Sequence, residues 1–179
     1  MDYHGINAKV RAMRNKPAPF EDTLKRLRLF VCDTQARRVL SLATEPDYLK
    51  AWAFIKSLPA GSQERKALEL IKGTEIDLVN ISRIYRMKRY FPSGEVYPQA
   101  VGVTDRLTVE QVKEMSESAG LAEFFVAVRG TAYAGLGFED IEDEIFREML
   151  GVYAKAARRY RESMAGVLGW LYEVRGGVF

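Results

Sequence analysis

An all-α fold is predicted for this 179-residue chain by three observations. Apolar residues recur at helical spacing through its long segments, helix-starting and helix-stopping residues punctuate those runs, and no segment shows the strict alternation of a half-buried strand. The composition agrees. With 47% hydrophobic and 28% charged residues the chain folds, and its length supports one sizeable core or two small ones.

Taken in order, residues 5–14, GINAKVRAMR, place Ile6, Val10 and Met13 on one face and Lys9, Arg11 and Arg14 on the others. Pro17 and Pro19 end this short amphipathic helix. Leu24, Leu27 and Val31, then Val39, Leu40 and Leu42 beyond Asp33, carry a second helical stripe, in which Cys32 is expected to be a buried thiol. Tyr48, Trp52 and Phe54 cluster before a PAGS turn at 59–62, and a helix is expected from about Glu64 to Tyr90. Gly73 costs that helix roughly 1 kcal/mol relative to alanine. Thr74, with Asp77 three residues on, offers a cap for a fresh start there, although a continuous or kinked helix is the preferred reading.

The segment FPSGEVYPQAVG, 91–102, carries two prolines and two glycines and is expected to divide the chain into two helical units, 1–90 and 91–179. After it, Thr108 and Gln111 have capping-box spacing, and Leu107 with Val112 has that of a hydrophobic staple. Gly120 and Gly130 are expected to end two short helices, and TAYAGLG to form a loop. From Phe138 to about Met164, Ile141, Ile145, Met149, Val152, Ala156 and Tyr160 line one face. The acids of this helix come first and its cations last, as the helix macrodipole favours. VLGWLYEV makes a final apolar piece.

A formal charge of +3 says little about partners, but its distribution is uneven. Lys9 to Arg38 holds nine cations against three acids, whereas Glu139 to Glu148 holds six acids against one arginine. With one cysteine and one histidine, His4, there is no material for an intramolecular disulfide or a Cys/His zinc site. No run reaches the roughly 18 apolar residues of a membrane span, and the N-terminus lacks the apolar core of a signal peptide, so a soluble, cytoplasmic chain is expected. The acidic run EDIEDE at 139–144 reads as a solvated helix start, and GTAYAGLG lacks both phosphate-loop patterns. No cofactor, metal or nucleotide site is indicated.

EIDLVNISRIYRMKRY, 75–90, is apolar on several sides yet carries Asn80 and the cations Arg83, Arg86, Lys88 and Arg89. A core helix whose cations project beyond the packed region explains it best, with Asn80 buried and hydrogen-bonded to a neighbour. The competing readings are a small basic helical nucleic-acid binder using these cations and those of 9–38, and an enzyme for which Glu75 and Asp77 would be the candidate carboxylates.

KGTEIDLVNISRIYRMKRYF resembles the signature helix of the family of V/A-type ATPase C subunits, also called d subunits, in which an E-[IL]-D-L-x-N-[IL] core precedes a basic R-x-K-[RK]-Y end. Other ordered blocks resemble the same family: DYHGINAKVRAMR at 2–14, RLTVEQV, AEFFVAVRGTAYAG and RRYRESMAGVLGWLYEV. The resemblance implies a repeat of helical units that normally occurs three times as a funnel, of which this chain would hold the first unit and most of a second. It implies a non-catalytic coupling part between the membrane rotor ring and the central stalk of a rotary ATPase, at the cytoplasmic face, touching the membrane only through partners and binding no nucleic acid. Asn7, Arg11, Arg14, Glu75, Asn80, Arg83, Arg86, Arg89 and Trp170 are the structural or interface candidates. With a third unit missing, Val167, Leu168, Trp170, Leu171 and Val174 are expected to border an uncovered surface through which the isolated chain would pair as a homodimer.

Overall fold

The computed structural model describes residues 9, 10, 12, 13, 18–91, 102–137, 139–161 and 163–175. His4, Asn7, Arg11 and Arg14, and most of the expected 91–102 divider, lie outside the described residues. Among the described residues the regular structure is entirely helical.

Pro19 stands at the start of α1, Phe20–Phe30, which buries Leu24 and Leu27 and ends at an extended Val31. Asp33 caps α2, Thr34–Ser41, its carboxylate accepting from the Ala36 N–H at 2.8 Å. Asp47 does the same for α3, Tyr48–Ser57, and Ser62 for α4, Gln63–Leu68. Each cap satisfies a backbone donor that a helix start leaves without a partner. Cys32, in the extended break between α1 and α2, is exposed; the expected burial fails because the helical stripe is interrupted there and its side chain leaves the core face.

From α4 the chain passes without interruption through a π-helical segment, Glu69–Gly73, into α5, Thr74–Tyr90. Thr74 is itself helical, at φ −62° and ψ −42°, so the fresh start by capping does not occur. The helix is continuous with its irregularity at KG. A capping box formed by Thr108 and Gln111 opens α6, Val109–Glu117, and α7, Leu121–Arg129, closes on Gly130. Asp140 caps α8, Ile141–Arg159, which stops short of the expected Met164; a turn through Tyr160 then leads into α9, Met164–Arg175. Glu64 reaches across from α4 to accept the Ala165 N–H at 2.8 Å, serving a first-turn donor of α9.

Two apolar clusters form the core. One unites α1 to α4 and the π segment with the last part of α8 and all of α9; the other unites Leu78 to Tyr85 of α5 with α6, α7 and the start of α8. Each cluster draws on both sides of residue 91, and α5 and α8 run through both. Helix α9 is apolar nearly all round, as a fully surrounded helix should be, and packs on α8, α1, α2 and α4. Trp170 is 3% exposed, and Val167, Leu168, Leu171 and Val174 are buried with it, so the uncovered surface expected at these residues does not exist. Close approach of α8 and α9 depends on glycine: a Cβ on Gly166 would lie 2.1 Å from the Tyr160 carbonyl oxygen, and one on Gly169 2.9 Å from that of Tyr153.

Candidate functional site: the polar clamp of α5

The polar residues of EIDLVN each bond to other parts of the chain. Asp77, fully buried, accepts at Oδ1 from the Asp105 N–H at 3.0 Å. Its Oδ2 accepts from the N–H groups of Arg106 at 2.7 Å and Leu107 at 3.1 Å, and from the Tyr133 hydroxyl at 3.0 Å. A buried carboxylate is costly unless its lone pairs are used, and here successive amides and a phenol use them. Successive amides of this kind form an anion-binding concavity, which in this protein is filled from within. Burial, and then the Asp77 charge, push the Tyr133 hydroxyl well above its ordinary pKa, so it stays a donor. Asn80 is fully buried and donates from Nδ2 to the Val103 carbonyl at 3.4 Å. This bond ties α5 to the strap at 103–107.

Gly73 belongs to the same arrangement. A Cβ there would lie 2.4 Å from the Asp105 Cγ, which explains a glycine in a helix interior: the strap passes against the π turn. Burial against that turn, followed by the nearby Asp77 charge, raises the Asp105 pKa above its ordinary range.

One turn earlier a second network forms. Lys72, 2% exposed, donates to Glu75 Oε2 at 2.8 Å, and its ammonium stands 5.0 Å from the Tyr172 ring centroid. The Tyr48 hydroxyl donates to Glu75 Oε1 at 3.4 Å, and burial followed by the Glu75 charge raises its pKa to about 12. Tyr172 stacks on Tyr153 at 4.6 Å and donates to the Leu42 carbonyl at 2.9 Å. The pair thus ties α5 and the π segment to α3 and α9.

The basic end of α5 is also used. Arg86 pairs with Glu142 of α8 at 2.5 Å, and Lys88 donates to the Ser116 and Ser118 carbonyls at the C-terminus of α6 at 2.9 and 2.5 Å, where the dipole favours a cation. Burial lowers the Lys88 pKa. Arg89 reaches the Tyr85 hydroxyl at 2.8 Å. Arg83 is exposed and its charge acts on Tyr48. Of the sequence-predicted candidates, the structure brings Glu75, Asn80, Arg83, Arg86 and Arg89 onto this one helix and places Trp170 in the core instead. Sequence reading missed Lys72, Tyr133 and the amides of 105–107; Gly73, tolerated in a long helix, was the one signal that another part of the chain, the Asp105 side chain, packs there.

Among the described residues no group of three or more histidine, cysteine or carboxylate side chains is placed to hold a metal ion, and no helix is long and apolar enough to cross a membrane. Chemically the arrangement is a rigid polar junction in an all-helical scaffold. A family model described as ATP synthase (C/AC39) subunit matches residues 47–175, from the cap of α3 to the last residue of α9. The chain belongs to this family, that of the V/A-type ATPase C subunits. No match was found among curated proteins or among solved structures.

Proposed function

We propose that the chain acts as a non-catalytic coupling subunit of a rotary V/A-type ATPase, linking the membrane rotor ring to the central stalk at the cytoplasmic face. The observation that supports this reading is the clamp of α5. Glu75, Asp77, Asn80, Arg86 and Lys88 each bond to another part of the same chain, which stiffens the body and suits a part that acts by shape and rigid contact. Torque transmission needs such stiffness and charged outer faces that fix orientation, and it needs no acid, base or cofactor. Arg86 and Lys88 each pair within the chain, so two of the cations on which the nucleic-acid reading drew already have partners. The test is reconstitution. The purified chain should co-migrate in stoichiometric amount with a detergent-solubilised rotor ring carrying its central stalk, and should bind no ATP. Failure to associate with ring or stalk at micromolar concentration, or a magnesium-dependent ATP site, overturns the proposal.

A further inference from the structure

The outward face of α1 is electrically polarised. Glu21 and Asp22 stand in its first turn, Lys25, Arg26 and Arg28 follow, and no carboxylate occurs between Asp22 and Asp33. The ion pairs of the described residues lie elsewhere, the nearest in sequence being Lys50 with Glu45; Arg28 donates to the Thr44 hydroxyl at 3.2 Å. Two apolar side chains protrude among these cations: Leu29 is 73% exposed and Phe30 39%, with the Lys9 ammonium 3.9 Å from the Phe30 ring centroid. Beside Leu29 is an open hollow of about 390 Å³ lined by Glu21, Asp22, Leu24, Lys25 and Arg28, all of α1.

We infer that this hollow is a docking surface for an amphipathic helix of a partner protein, laid antiparallel to α1. Helices ordinarily carry acids in the first turn and bases in the last. An antiparallel helix therefore brings its acidic start over Lys25 and Arg28 and its basic end over Glu21 and Asp22, while an apolar side chain enters the hollow against Leu29. The polarity favours a helix over a bilayer. A flat anionic bilayer would meet Glu21 and Asp22 as well as the cations, and it has nothing to fill a concavity. A second copy of α1 carries the same charge order and is separated by experiment. The inference does not rest on the coupling role, since α1 lies outside the family match at 47–175.

The experiment uses the full chain and a fluorescein-labelled synthetic amphipathic peptide whose acids precede its bases, read by anisotropy. A control peptide keeps the apolar positions and reverses the charge order. Saturable binding in the tens of micromolar is expected, weakening with salt, and about tenfold weaker for the reversed peptide and for Leu29→Glu and Lys25→Glu. Both side chains are exposed, so the variants should keep the wild-type circular dichroism. Equal binding of the two peptides, unaltered binding by both variants, or no saturation below about 1 mM overturns the inference. So does a dimer in sedimentation that Leu29→Glu dissolves, which assigns the surface to a second copy. Co-sedimentation with phosphatidylglycerol vesicles that Lys25→Glu abolishes overturns it in favour of a bilayer. Each of these results leaves the ring and stalk reconstitution to be decided separately.

Discussion

Asp77 offsets a large desolvation cost with four bonds, two of them from the buried Leu107 N–H and Tyr133 hydroxyl, which would otherwise lack partners. Replacing it with asparagine keeps the shape but turns one acceptor into a donor facing donors. Asp77→Asn is expected to destabilise the fold by about 2 to 4 kcal/mol in urea unfolding and to strip hydrogen-exchange protection from the amides of 105–107. An unchanged midpoint would mean that the strap is held by packing alone. Asp105 has the opposite character. Its pKa is raised in the folded state, so its contribution is most favourable below the ordinary value of 3.8 and is lost as pH rises through the folded value. Asp105→Asn retains the backbone N–H that Asp77 uses and removes the ionisation cost. Its Tm should exceed the wild-type Tm at pH 7, and the difference should close as both are titrated towards pH 4. A difference that does not vary with pH contradicts the assignment.

At the scale of elements, the π segment is where α4 and α5 accommodate the strap. Helix propensity alone says that Gly73→Ala gains about 1 kcal/mol. The structure says otherwise, because the new Cβ would lie 2.4 Å from the Asp105 Cγ and 2.6 Å from its Cβ. A net loss of about 1 to 3 kcal/mol is expected, as for other overpacked sites. Removing the obstructing side chain with Asp105→Gly in the same molecule should recover part of that loss, so the double-mutant cycle should be non-additive. Strict additivity would show that the strap does not press on the π turn.

For the whole molecule, α9 decides the outcome. The family resemblance, with a third unit missing, implies an open edge there, where a Trp170→Glu change would dissolve a dimer. With Trp170 buried on a helix that packs against α8, α1, α2 and α4, the same change places a carboxylate inside the larger cluster. Trp170→Glu is therefore expected to cost more than about 3 kcal/mol and to abolish cooperative thermal unfolding, not to shift an association equilibrium. Circular dichroism and sedimentation on the same sample check this: a folded variant with altered mass would return Trp170 to an interface.

The all-α class, the Thr108 capping box, the break at Pro19 and the buried state of Asn80 were legible in the chain, because periodicity and capping are written within one or two helical turns. The importance of EIDLVN was legible too, as polar residues inside an apolar helix. Its partners were not. Asp77 finds amides about thirty residues on, Glu64 caps a helix 101 residues away, and Tyr172 bonds a carbonyl 130 residues back. Local pattern specifies that a side chain must be satisfied, but only the packing of faces across the whole chain selects by what. For the same reason the burial expected of Cys32 and the open surface expected at α9 both fail: each depends on which surfaces meet, and the tertiary structure alone decided that.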